Sequence, residues 1–125
     1  MSSPRSNTLP YPQQRDHIAE YMSKLAAGQP VLMEAFDSLH TAAGAEGALS
    51  TKVKELIALA IAVAARCDGC IAFHTHDVLK AGATRQEIMD ALGVAVLMGG
   101  GPSVVYATHV LEAIEQFNET GFDVD

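Results

Sequence analysis

Residues 55–74 read E-L-I-A-L-A-I-A-V-A-A-R-C-D-G-C-I-A-F-H. Ten small or apolar residues, Leu56 to Ala65, follow a single carboxylate, Glu55. A helix over this run is apolar nearly all round, so it must sit at the centre of the fold or be shared with another subunit. Directly after it come the only two cysteines of the chain, Cys67 and Cys70, and then His74. The remaining segments have to pack around this one.

Their periodicity is helical throughout, with no useful period-2 alternation. Ile18, Tyr21, Met22 and Leu25 step by three and four between Gln13 and Ala27, and Gly28 stops them. Pro30 suits the first turn of a second helix. Its stripe is Val31, Leu32, Ala35, Phe36 and Leu39, with Glu34, Asp37 and Ser38 outward. Gly44 and Gly47 mark a loop, and Ser50 is an N-cap for the central helix. Arg66–Gly69 is a turn, with Asp68 as N-cap of a fourth helix and Gly82 just past its end. Thr84 and Glu87 form a capping box for a fifth helix, with Ile88, Leu92, Ala95, Val96 and Leu97 inward. Gly99–Gly101 ends that helix and serves close helix packing, and Pro102 opens a sixth. The methionines at 22, 33, 89 and 98 read as core filling. The expectation is an all-α single domain over 13–118 with about six helices. A flexible arm (1–12) precedes it and an acidic tail (119–125) follows.

Fifteen acidic against eight basic residues leave a net charge of −7. With no Lys/Arg cluster, nucleic acid is disfavoured as a partner. An anionic membrane surface is disfavoured on the same ground. No apolar run is long enough to span a bilayer, and the N-terminal residues lack the apolar stretch of a signal peptide. The expected location is cytoplasmic, where a lone cysteine pair is catalytic or metal-binding more often than structural.

Helical geometry sharpens the site. At about 100° per residue, with Cys67 at zero, Cys70 falls at about 300°, His74 at about 340° and His76 at about 180°. Cys67, Cys70 and His74 therefore share one face, Asp77 borders it and His76 lies opposite. A reversal near Ala64–Ala65 sets the third and fourth helices antiparallel and brings Glu55 against His74. A buried carboxylate there orients the ring and makes it a better proton acceptor. A thiolate in such a pair attacks an electrophilic oxygen or sulfur, and the second cysteine closes a disulfide. Zinc held by Cys67, Cys70 and His74, with Glu55 or Asp77 as fourth ligand, is the rival reading. It lacks the second C-x-x-C or H-x-x-x-H of a usual structural set. His17, His40, His76 and His109 show no partner pattern. Tyr106 and His109 read as packing residues near a pocket.

Glu55-x11-Cys67-x2-Cys70-x3-His74 resembles the motif of alkylhydroperoxidase AhpD-like proteins, within the carboxymuconolactone decarboxylase family. The resemblance runs from Thr51 to Phe117 and includes K-A-G-A-T-R-Q-E-I (80–88) and M-G-G-G-P-S (98–103). It implies an AhpD-like helical bundle whose antiparallel hairpin carries the C-x-x-C site. It also implies a homo-oligomer, a trimer or a hexamer of trimers. The implied activity is that of a peroxidase without cofactor or metal, acting on small hydroperoxides. In it Cys70 attacks peroxide, Cys67 resolves, and Glu55 and His74 relay protons. A lipoylated or thioredoxin-like dithiol re-reduces the pair. One position departs: the best-known mycobacterial-type enzymes carry a histidine just before the second cysteine, where this chain has Gly69. The implied relay is shorter by one proton carrier. The alternatives are a non-enzymatic redox-sensing or zinc-binding oligomer, and a decarboxylase-like lyase that uses no cysteine.

Overall fold

In the computed structural model six helices account for most of the described residues, 9–121: α1 (Tyr11–Gly28), α2 (Pro30–Gly44), α3 (Thr51–Ala64), α4 (Asp68–Lys80), α5 (Arg85–Gly99) and α6 (Gly101–Glu119). No strand occurs among these residues. Local chemistry sets the helix ends. Ser50 Oγ accepts from the Val53 amide at 3.1 Å and opens α3. At α5 the Glu87 amide donates to Thr84 Oγ1 at 3.1 Å, and the Thr84 amide donates to Glu87 Oε1 at 2.8 Å. The Thr84 amide and then Lys52, 2.9 Å away on α3, hold the Glu87 carboxyl below its ordinary range. Gly99 has no Cβ because Ser103 of α6 occupies that space.

The turn between α3 and α4 has no spare residue. The Arg66 amide donates to the Val63 carbonyl at 3.0 Å and the Cys67 amide to the Ala62 carbonyl at 3.1 Å, a Schellman arrangement. It requires a left-handed residue after the C-cap. At the end of α4 glycine supplies it, with Gly82 at φ 86°; at the end of α3 it is Arg66, at φ 57°. A side chain in that conformation costs about 1–2 kcal/mol. Cys67 thus ends one helix cap and begins the next.

The hairpin is the middle of the molecule. Leu59 and Val63 of α3 meet Ile71 and Val78 of α4, Ile88 of α5, and Val110 and Ile114 of α6, all essentially inaccessible to solvent. Burying each such side chain stabilises the fold by about 1.5–3 kcal/mol. α1 lies across α4 and α6, whereas α2 touches only α1 and α3.

Several expectations are corrected. The first helix starts at Tyr11, inside the stretch expected to be an arm, because the Tyr11 amide donates to Gln116 Oε1 at 2.6 Å and its ring is buried. Residues 1–8 of that arm and 122–125 of the tail lie outside the described residues. The apolar stripe of α2 does not face this chain's core: Val31, Leu32, Phe36 and Leu39 are all exposed, and α2 has no buried residue. Nor does Leu97 point inward, being 80% exposed; Met89 and Met98 are exposed as well. The period was read correctly, but the apolar face on α2 and at the end of α5 is left exposed by the described residues.

Candidate active site

Cys67 and Cys70 are joined by a disulfide, with Cα atoms 5.2 Å apart. Cys67, not Asp68, is the N-cap of α4, and its Sγ accepts from the Cys70 amide at 3.1 Å. Both sulfurs therefore lie at a helix N-terminus, where the partial positive charge favours a thiolate once the bond is reduced. Cys70 is the more exposed of the two.

Glu55 Oε2 lies 2.8 Å from His74 Nδ1. The hairpin register is the one expected from the sequence, and Glu55 is buried in spite of its charge. A carboxylate only accepts, so Nδ1 carries the proton and Nε2 is the nitrogen left for proton exchange. His74 joins Cys67 and Cys70 in lining a cleft of about 560 Å³. Glu55 stands behind His74 and off that cleft.

Asp77 also borders the cleft, and a ligand atom from each of Glu55, His74 and Asp77 lies within 4.8 Å of the others. Glu55 already holds His74, and Asp77 takes a 2.9 Å contact from His76 Nδ1. The zinc set that includes Cys67 and Cys70 is not available while their sulfurs are bonded to each other. His76 is off the cleft, its ring 5.8 Å from that of Phe117.

α1 and α2 form the cleft's outer wall, and this was missed from the sequence. Arg15, Ile18 and Met22 come from α1, and Phe36, Asp37 and His40 from α2. Asp37, expected to face away, is part of the cleft. A Cβ on Gly69 would lie 3.0 Å from Ile18 Cδ1, so α1 fills the space that a larger residue there needs.

A second polar cluster lies around Asp68. Asp68 Oδ1 accepts from the Tyr11 hydroxyl at 2.6 Å and sits 2.9 Å from His109 Nδ1. Burial, and then the hydrogen bond to Asp68, push the Tyr11 phenol far above its ordinary range. Asp68 thereby ties the cysteine turn to α1 and α6. His109 had no visible partner in the sequence because its partner is 41 residues away.

Fold and site define an all-α protein built on a helix hairpin that presents a vicinal cysteine pair to a cleft. The chain belongs to the carboxymuconolactone decarboxylase family, whose model matches residues 30–113. The spacing of Glu55, Cys67, Cys70 and His74 agrees with the alkylhydroperoxidase AhpD-like branch. An uncharacterized protein of Cupriavidus necator is 42% identical over 101 residues, 81% of this chain and 89% of that one. A carboxymuconolactone decarboxylase family protein of Legionella pneumophila, solved in its apo form, superposes with a TM-score of 0.80 at 50% identity, over 82% of this chain and 91% of that one. A family member from Thermotoga maritima, for which a part in the antioxidative response has been suggested, gives a TM-score of 0.67 at 30% identity over 72% and 93% of the two chains. No helix among the described residues is long and apolar enough to cross a membrane.

Proposed function

We propose that the chain is a thiol-dependent peroxidase, a dithiol–disulfide oxidoreductase acting on small organic hydroperoxides. The observation that carries this reading is the Glu55–His74 pair set beside a cysteine pair able to form a disulfide at the same cleft. In the reduced protein His74 takes the Cys70 proton. The thiolate attacks the terminal oxygen of the hydroperoxide and the O–O bond breaks. The departing alkoxide takes the proton back from His74 and leaves as the alcohol, with Cys70 now a sulfenic acid. Cys67 attacks the Cys70 sulfur, the disulfide forms, and water leaves. The two electrons come from the cysteine pair, and a lipoyl or thioredoxin-like dithiol restores them by exchange. Glu55 touches no reactant: it fixes the ring and balances its charge when protonated.

The exposure of Cys70 suits the attacking role and the shielding of Cys67 the resolving one. The uncovered apolar stripe of α2 supports a homo-oligomer, a trimer or hexamer, since soluble monomers rarely leave such a face bare. A cytoplasmic setting suits a pair that must be re-reduced.

Turnover of tert-butyl hydroperoxide with dihydrolipoamide tests the mechanism. Cys70→Ser should abolish it, while Cys67→Ser should still consume about one equivalent of peroxide. Full activity in Cys70→Ser overturns the assignment. A disulfide that forms without turnover identifies a redox sensor instead.

A further inference from the structure

The cleft over the disulfide has a largely apolar wall from α1, α2 and Phe73, and one guanidinium among the described residues. Ile18, Met22, Phe36 and Phe73 line it beside the cysteines; among the described residues Arg15 is its only lysine or arginine, and Asp37 and Asp77 are its carboxylates. The Arg15 guanidinium lies over the Phe73 ring, 5.4 Å from its centroid. Phe73 is three residues past Cys70 on α4, and Ile18, one turn along α1 from Arg15, is the side chain that closes on Gly69. Arg15 is therefore held on the cleft that both cysteines line. Its Nε is buried without a hydrogen-bond partner, and the guanidinium makes no ion pair with any described residue, Asp37 on the same cleft included.

A buried guanidinium nitrogen is normally satisfied by an acceptor. Placement over an aromatic face holds the group in position, and of its nitrogens only Nε is buried, so the Nη1/Nη2 edge stays open to the cleft. That edge matches the two oxygens of a carboxylate. In a protein of net charge −7 an arginine that makes no ion pair with either carboxylate on its cleft is a selective feature.

We propose that Arg15 is the anchor of a carboxylate subsite, and that the substrates are hydroperoxides of apolar acids, such as fatty-acid hydroperoxides, bound with the carboxylate on Arg15 and the chain along Ile18, Met22 and Phe36. This rests on the peroxidase reading for its chemistry, though not for its binding. The anchor takes no part in the redox step. It holds the chain so that the peroxy group reaches Cys70. Asp37 and Asp77, on the same cleft, act against it, which tunes affinity downward.

The experiment has two arms. In the first, dodecanoate, which carries no peroxide, is titrated into the intact oxidised protein by calorimetry. The expected result is that Arg15→Met, which keeps length and stacking, weakens dodecanoate binding about tenfold or more. Arg15→Lys should keep part of the affinity, and Asp37→Asn should strengthen it. Equal dodecanoate binding in wild type and Arg15→Met, with both folded by circular dichroism, overturns the subsite. In the second arm, kcat/KM is compared for linoleic acid hydroperoxide and its methyl ester. Wild type should prefer the acid, and the acid-to-ester ratio should fall towards one in Arg15→Met. A ratio that the substitution leaves unchanged overturns the substrate assignment. If wild type reduces neither these nor tert-butyl hydroperoxide, the peroxidase reading fails by itself, and the dodecanoate arm still decides the subsite.

Discussion

Glu55 on α3 and His74 on α4 meet across the hairpin, Oε2 to Nδ1 at 2.8 Å, although 19 residues separate them. The contact exists because the α3–α4 turn uses a fixed number of residues. One residue more or less would rotate His74 away from α3. The carboxylate is buried and the ring half-buried, so removing His74 leaves the Glu55 charge buried without this partner.

Glu55→Gln preserves the shape and an acceptor for Nδ1 but removes the charge. Peroxide turnover should fall roughly tenfold to hundredfold. The helical circular dichroism signal should be unchanged. Wild-type rates in this variant would remove Glu55 from the relay.

Arg66 carries backbone strain at φ 57°, and glycine bears none there. Arg66→Gly should raise stability by about 0.5–1 kcal/mol, after allowing for the entropy that glycine adds to the unfolded chain. Thermal melts at one fixed protein concentration would register this as a rise of a few degrees, on the order of 2–6 °C. A lower melting temperature would mean that the Arg66 side chain makes an essential contact.

The space at Gly69 belongs to Ile18. Gly69→His should destabilise the α1–α4 contact by about 1–3 kcal/mol through overpacking. Ile18→Ala in the same chain should recover most of that loss. Denaturant midpoints of the two single variants and the double variant give the coupling, and additive effects would show that the two positions do not compete.

Tyr11 supplies a pH dependence. Its phenol is raised above the unfolded value of about 10, so the unfolded chain releases the proton first. The stabilisation is complete below that pH and is lost as the pH rises above it. Tyr11→Phe should flatten the alkaline fall in stability above about pH 10 and cost about 1–2 kcal/mol at neutral pH. An unchanged alkaline limb, read from denaturant melts across pH 8–11, would show that burial and Asp68 do not hold this hydroxyl in its protonated form.

Much of this molecule is legible in short-range pattern. The caps at Ser50 and Thr84, the glycine after α4 and the breaks at Gly28 and Gly99–Gly101 depend on residues within a few positions of each other. So does the shared face of Cys67, Cys70 and His74. Even Glu55–His74 follows from helix arithmetic once the turn is assumed short. Asp68 was misplaced as a cap because its real partners, Tyr11 and His109, lie 57 and 41 residues away.

By itself the sequence determined the helices, most of their ends and the constellation on the hairpin, because these follow from periods of three and four residues and from one tight turn; the starts of α1 and α4 were the exceptions. Only the tertiary structure decided what surrounds that constellation. It laid α1 across α4, so that Ile18 fills the space beside Gly69 and Arg15 stacks on Phe73. It also left the apolar stripe of α2 uncovered. Periodicity says that a face is apolar, but not which surface covers it: that depends on how whole helices cross, and crossing is set by the summed packing of residues far apart in the chain.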